Sequence, residues 1–245
     1  MHGPLILIVR DILNTYKDLV NQVSLLMEQK PSYLDYILED REYWNSPKYK
    51  ERKSFWQQMY ETVPEFTLLK ERAQRSDSRA KRRTQRLSHD LTEEIERFSA
   101  EFKVSGFIIF FAVFALYIAK TTFKHDLVIG TPVLNRANHH QKNTAGMFIS
   151  NIPFRIIINP EWDFLTFLNE ISKVWKQLLR NQRYPYQEIL KDFREAHNHS
   201  GSLTDVFFSY QNAKFKIADL DFESFWHFNG QEINTLSLHV SDLEG

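Results

Sequence analysis

The residues predict a layered α/β fold, and three observations carry that expectation. Helix-period segments fill the first part of the chain, helix and strand patterns mix in the middle, and strand-period segments close it. The stretch Asp126–Ile156, DLVIGTPVLNRANHHQKNTAGMFISNIPFRI, places two β-branched, aromatic-rich strands around a long polar loop, which implies a sheet. Neither a regular βαβ repeat nor a Gly-rich phosphate loop is present, so an α/β sandwich is expected rather than a dinucleotide-binding fold.

The elements follow in order. From Leu5 to Glu28, Ile8, Ile12, Tyr16, Leu19, Val23 and Leu26 recur at spacings of three and four, predicting an amphipathic helix that packs. Pro31 breaks it, and Ser32 is the N-cap candidate of a second helix, SYLDYILEDREYW. A third helix runs from Ser46 or Pro47 to Glu61, before Pro64. Acidic residues in the first turn of LTEEIERFSAEF, Leu91–Phe102, suit the helix dipole. The window Val104–Ala119 is the most hydrophobic, but it falls short of the roughly 20 residues that span a bilayer, so it reads as a buried helix reaching Lys120.

Strands are expected at Leu127–Gly130 and Phe148–Ile158. A helix in WDFLTFLNEISKVWKQLLRNQ offers Phe164, Phe167, Leu168, Ile171, Val174, Trp175 and Leu178 as its apolar face, and QEILKDFREAH is a shorter helix. Three strands close the chain: DVFFSYQNAKF, FESFWHFNG and NTLSLHVSD. In the last, Leu236, Leu238 and Val240 alternate with Thr235, Ser237 and His239.

Composition excludes several functions. The 31 Lys and Arg balance 31 Asp and Glu, so no net field draws the molecule to nucleic acid or an anionic membrane. The absence of cysteine removes disulfides, thiolate nucleophiles and cysteine metal sites, and fits a reducing, cytoplasmic setting. The N-terminus has neither the basic flank nor the cleavage site of a secretory signal. Lys70–Arg86 carries eight basic residues against Glu71 and Asp77; with no stacking aromatic among them it reads as a solvated crossover loop rather than a phosphate-binding segment. His139-His140 and His197-x-His199 match no usual zinc framework, so no metal site is expected; the carboxylates Asp90, Glu93, Glu94 and Glu96 read as a helix start. No G-x-S-x-G elbow is present. Arg155 stands among Ile152, Phe154, Ile156 and Ile158; either it lies on the polar face of a half-exposed strand, or it is buried with a carboxylate partner.

Five segments resemble the condensation domains of non-ribosomal peptide synthetases, relatives of chloramphenicol acetyltransferase. Tyr33-Leu34-Asp35-Tyr36 with Tyr43-Trp44 and Phe55-Trp56 is similar to the family's fourth core motif, and DLVIGTPVLNR to the strand and turn ahead of the fifth. AGMFISNIPFR resembles the fifth, with Ser150-Asn151 where Asn-Thr is commoner. Arg180–Tyr186, RNQRYPY, resembles the sixth, and DVFFSYQN the strand after the seventh.

The resemblance implies a chloramphenicol acetyltransferase-like α/β sandwich. Residues 1–69 would be a helical remnant of the N-terminal lobe and crossover, 70–86 a basic linker, and 87–245 the C-terminal lobe. It further implies a tunnel between lobes, peptidyl carrier proteins presenting substrates on phosphopantetheine, no directly bound cofactor, and an amine attacking a thioester beside a histidine of an HHxxxDG motif. Only His2-Gly3 remains of that motif, so no catalytic residue is assigned here. Arg155 matches the arginine that pairs with the motif's Asp, and its carboxylate is expected to be missing from this chain. Tunnel-lining positions are Gly146, Met147, Ser150, Ser209, Gln211 and Asn212. The implied partners are carrier proteins and either the missing lobe or neighbouring synthetase domains, with neither nucleic acid nor membrane. A non-catalytic docking module is the other function considered.

Overall fold

Short polar side chains open most of the helices. The computed structural model describes residues 3–24, 30–66, 69, 78–212 and 227–241. The hydroxyls of Ser32, Ser46, Ser88 and Ser105 accept from backbone amides of α2 (Tyr33–Trp44), α3 (Pro47–Met59), α4 (His89–Phe102) and α5 (Gly106–Thr122). Each satisfies an N–H that the first turn leaves without a partner. Asp163 does the same for α7 (Phe164–Asn181). The helix α1 covers Gly3–Val20 and α8 Tyr186–His197.

The sheet has the order β2-β1-β3-β4. Strand β1 (Asp126–Val133) pairs antiparallel with the edge strand β2 (Ser150–Ile157), and β3 (Val206–Gln211) pairs parallel with both β1 and β4 (Leu236–Ser241). Pro153 fits within β2 because an edge strand has one side that needs no N–H donor.

Alternation along β2 sorts the layers. Phe154 stacks on Phe111 of α5 at 4.2 Å and lies parallel to Trp175 of α7 at 5.8 Å, so α5 and α7 cover that face. Its neighbours Pro153 and Arg155 face the end of α3 instead, where the Tyr60 hydroxyl donates to the Pro153 carbonyl at 3.0 Å. Helix α8 packs on α3 and β2. Helices therefore cover both faces at β2, which explains its near-continuous apolar run. Phe208 of β3 also points to α5, edge-on to Phe111 at 5.5 Å, which sends Phe207 and Ser209 to the opposite face. As expected, Val104–Lys120 is a core helix, with eight buried residues in α5. Among the described residues no single helix is long and apolar enough to cross a membrane.

Four expectations need correction. The first helix ends at Val20, not Glu28, with Gln22 at φ 53° just beyond; residues 25–29 lie outside those described. Nor does its apolar face pack: Ile12, Tyr16 and Val20 are each 61% exposed. Periodicity identifies a face to bury but cannot say against what. The polar loop Asn135–Asn143 contains a helical turn, α6 (His139–Asn143), because the Asn138 side chain accepts from the Gln141 amide at 2.8 Å. Of the three C-terminal strands, two form among the described residues. Residues 222–226 lie outside those described, and His227–Gly230 is not strand, although Arg79 and Gln231 form an antiparallel bridge beside it. The basic segment Lys81–Arg86 has no regular secondary structure and is exposed; Lys70–Asp77 lies outside the described residues.

Candidate functional site

Register brings the expected tunnel residues to one end of the sheet. Ser150 begins β2 opposite Val133 at the carboxyl end of β1, and β3 runs parallel to β1, so Gln211 and Asn212 leave at that same end. Gly146 and Met147 lie in the segment entering β2. The carboxyl ends of parallel strands are where open α/β sheets commonly bind ligands.

Ser209 and His239 are register partners on β3 and β4, and the serine Oγ lies 2.7 Å from the imidazole Nδ1. Ser209 is fully buried, and His239 is partly exposed with the Nδ1 edge of its ring turned in to Ser209. Burial lowers the His239 pKa, Glu232 opposes that shift, and Arg82 adds to it. The pair places a polar, titratable group on the sheet face opposite α5. In the sequence His239 reads only as a polar alternate in its strand, because a parallel partner leaves no local signal.

The segment entering β2 is stapled from within. The Arg136 guanidinium donates to the carbonyls of Gln141, Thr144 and Gly146, the last two at 2.8 and 3.1 Å, and lies 4.1 Å from the Phe148 ring centroid. Gln141 is buried, accepts from the Ala137 amide at 2.8 Å and donates to Glu39 at 3.0 Å. Tyr33 of α2 donates to the Met147 carbonyl at 2.6 Å, and a Cβ on Gly146 would overlap the Tyr33 ring. Gly146 is thus the position over which Tyr33 closes. The Met147 side chain is 69% exposed and Ser150 half-buried.

Arg155 decides between the two open readings and overturns one expectation. It is 8% exposed, not half-exposed, and its carboxylate partner is in this chain. Asp126 accepts from Nε at 2.8 Å and Nη2 at 2.5 Å. The carbonyls of Met59 and Thr62 accept from Nη1 at 2.8 and 2.9 Å, and the Thr62 hydroxyl from Nη2 at 2.8 Å. These five bonds use every guanidinium donor. Arg155 faces Val128 across the ladder, so Asp126, two residues earlier, is its diagonal neighbour on the same face. The alternation of β1 carried that signal, but only with the register known. Glu65 holds the strand entrance, accepting from the amides of His125 and Asp126 at 2.7 and 3.0 Å, and the amides of Asp126 and then His125 lower its pKa. His2 lies outside the described residues, and Gly3 begins α1.

A condensation-domain family profile matches residues 5–242. The chain belongs to the condensation-domain family. It is 32% identical over 234 residues to one of the plipastatin synthase subunits of Bacillus subtilis (strain 168), covering 94% of this chain and 9% of the relative. Surfactin synthase subunit 1 of the same organism is 31% identical over 233 residues, covering 94% of this chain and 6% of that relative. Among solved structures, the condensation domain from Monacolin K polyketide synthase superposes with a TM-score of 0.81 at 18% identity, covering 99% of this chain and 59% of that one. The first condensation domain of the CDA synthetase gives a TM-score of 0.71 at 17% identity, covering 85% of this chain and 45% of that one. The fold is accordingly that of condensation domains, and the chain spans about half the length of those solved chains and under a tenth of the two synthases.

Proposed function

We propose that this chain supplies the C-terminal part of a non-ribosomal peptide synthetase condensation domain. Joined by the other half, on the same or another polypeptide, it forms an amide bond between a carrier-tethered acyl or peptidyl donor and an aminoacyl acceptor. The observation that carries this reading is the condensation-domain match across residues 5–242, supported by the gathering of Ser150, Ser209, Gln211 and Asn212 at the carboxyl end of the sheet.

In the reaction the acceptor nitrogen attacks the donor thioester carbonyl; a C–N bond forms, the C–S bond breaks, and the pantetheine thiol leaves. The amine must be held in line and shed a proton as the tetrahedral centre forms. This chain contributes walls to that process. Met147 and Gly146 with its Tyr33 cover line one side, Ser209 with Gln211 and Asn212 the other, and His239 orients the Ser209 hydroxyl. Arg155 serves by holding the end of α3 to the sheet beside the interface with the other half. The partners are peptidyl carrier proteins, which bring the phosphopantetheine arms, together with that half or neighbouring synthetase domains. The setting is cytoplasmic, and the product class is that of peptide secondary metabolites.

The exposed row Ile8, Ile12, Tyr16, Leu19 and Val20 on α1 supports burial against further protein. The same row favours the second reading, a docking module without catalysis. The deciding experiment incubates the purified chain with two loaded carrier proteins, with and without a polypeptide bearing an HHxxxDG half-domain, and follows amide product by mass spectrometry. Product is expected only when both halves are present. Amide formation by the 245 residues alone would overturn the divided site. Binding of the half-domain without product would leave the docking reading in its place.

A further inference from the structure

Strand β1 lies between β2 and β3 in the sheet, and the residue that follows it is a leucine. Asn135, at φ 51°, turns the chain directly after Leu134, which makes that leucine the last residue in the line of the strand. Pro132 is the register partner of Asn151, on the face of β2 that also carries Pro153, so alternation sends Leu134 to the face opposite α5. On the other side Gly130 is the partner of Phe207. Four residues on in that register, Leu134 stands level with Gln211, on the face that Ser209 shares. Leu134 therefore sits between the two walls described above, Gly146 and Met147 beside β2 and Ser209 with Gln211 on β3. It is not one of the tunnel positions expected from the sequence.

Its backbone is fixed while its side chain is left uncovered. The Val133–Ser150 pairing holds it from one side, and from the other Arg136 donates to the carbonyls of Thr144 and Gly146 at 2.8 and 3.1 Å. Yet Leu134 is 56% exposed, and Met147, whose carbonyl accepts from Tyr33, is more exposed still. Single apolar side chains on a surface are ordinary. These two stand on stapled backbone at the one end of the sheet where Ser209, Gln211 and Asn212 gather, so the segment cannot fold over to bury them. An apolar floor flanked by a few hydrogen-bonding groups is the composition of a small-molecule pocket.

We propose, resting on the reading of this chain as half of a condensation domain, that Leu134 and Met147 form the apolar floor of the substrate tunnel and select substrates whose acyl or aminoacyl group is apolar. The branched, backbone-fixed leucine sets a firm surface, and the unbranched, polarisable methionine follows the shape of what lies on it. A polar group placed there loses its hydrogen bonds to water and gains none from these two side chains. Ser209 and Gln211 remain for the amide and thioester atoms that every substrate carries.

The test uses the two reconstituted halves with carrier proteins bearing leucyl or asparaginyl groups, nearly equal in size, first on the donor and then on the acceptor. Amide formation is followed by mass spectrometry. A leucyl preference of about tenfold or more is expected on one of the two sides, within what a single apolar contact contributes to discrimination. Leu134→Asn and Met147→Gln should each reduce that ratio. A weakened fold or a weakened junction between the halves would slow both substrates alike, so the ratio reports contact with substrate, and the exposed positions of both residues should leave Tm unchanged. Product without a leucyl preference on either side, or a preference that both variants leave intact, would overturn the apolar floor and leave the condensation reading standing. No product from any pair with the unaltered halves would overturn that reading and this proposal with it.

Discussion

Arg155 and Arg183 both anchor clusters between helices and neighbouring backbone, and the contrast between them separates a saturated polar network from an incomplete one. At Arg155 five donors meet five acceptors and the opposing carboxylate is close. Nothing remains to be bound. At Arg183 the Nε is buried without a hydrogen-bond partner, Nη2 donates to the Glu39 carbonyl at 3.2 Å, and Asp40 sits at 3.6 Å. A fully satisfied polar network rigidifies a structure, whereas an incomplete one carries strain or takes up water. Burial of an arginine therefore says little until its donors are counted.

The sharpest way to break this contrast is to remove one member of the satisfied cluster. Asp126→Ala should cost about 3–5 kcal/mol in urea denaturation, because it strands a buried guanidinium. The double variant Asp126→Leu with Arg155→Met should recover much of that loss, since an apolar pair of similar volume can replace a buried ion pair. Next in size is Gly146→Ala. Its new Cβ meets the Tyr33 ring, and a loss of about 1–3 kcal/mol is expected, reduced when Tyr33→Ala is added.

Ser209→Ala should cost about 0.5–1.5 kcal/mol, the usual net value of one hydrogen bond, and should shift the His239 ring signals in NMR titration. The His239 pKa is lowered by burial, so the fold favours the neutral ring. Above the ordinary histidine pKa of about 6.5 both states are neutral and the group contributes nothing. As pH falls below that value the unfolded chain takes up the proton first, and stability declines until the folded ring also protonates. His239→Gln should flatten that portion of a stability-against-pH curve. Smallest of all, Lys48→Ala at the exposed edge of the Arg183 cluster should change stability by less than about 0.5 kcal/mol, which sets it against Asp126→Ala at the other cluster.

Much of the scaffold is legible in the residues alone. The Ser32 cap, the start of the third helix at Ser46 and the apolar window of α5 follow from local chemistry, and the structure has them. The alternation of Leu236, Leu238 and Val240 also orients β4, with these side chains packed against the core. The candidate site is less legible. Gly146 stands within a recognisable motif, yet its cover by Tyr33 joins distant parts of the chain, as does the Tyr33 bond to Met147, which spans 114 positions. His239 meets Ser209 across 30 residues.

By itself, the sequence determined the kinds of element, their order and the family, because periodicity, caps and motif spacing are local properties of the chain. Tertiary structure alone decided which groups meet. It paired Arg155 with Asp126 through antiparallel register, set Ser209 beside His239 through parallel pairing, and left the α1 stripe exposed. The reason is physical: a side chain's type sets what it needs, a carboxylate, a donor or an apolar cover. Only the folded backbone brings residues distant in sequence within the few ångströms at which that need is met or left open.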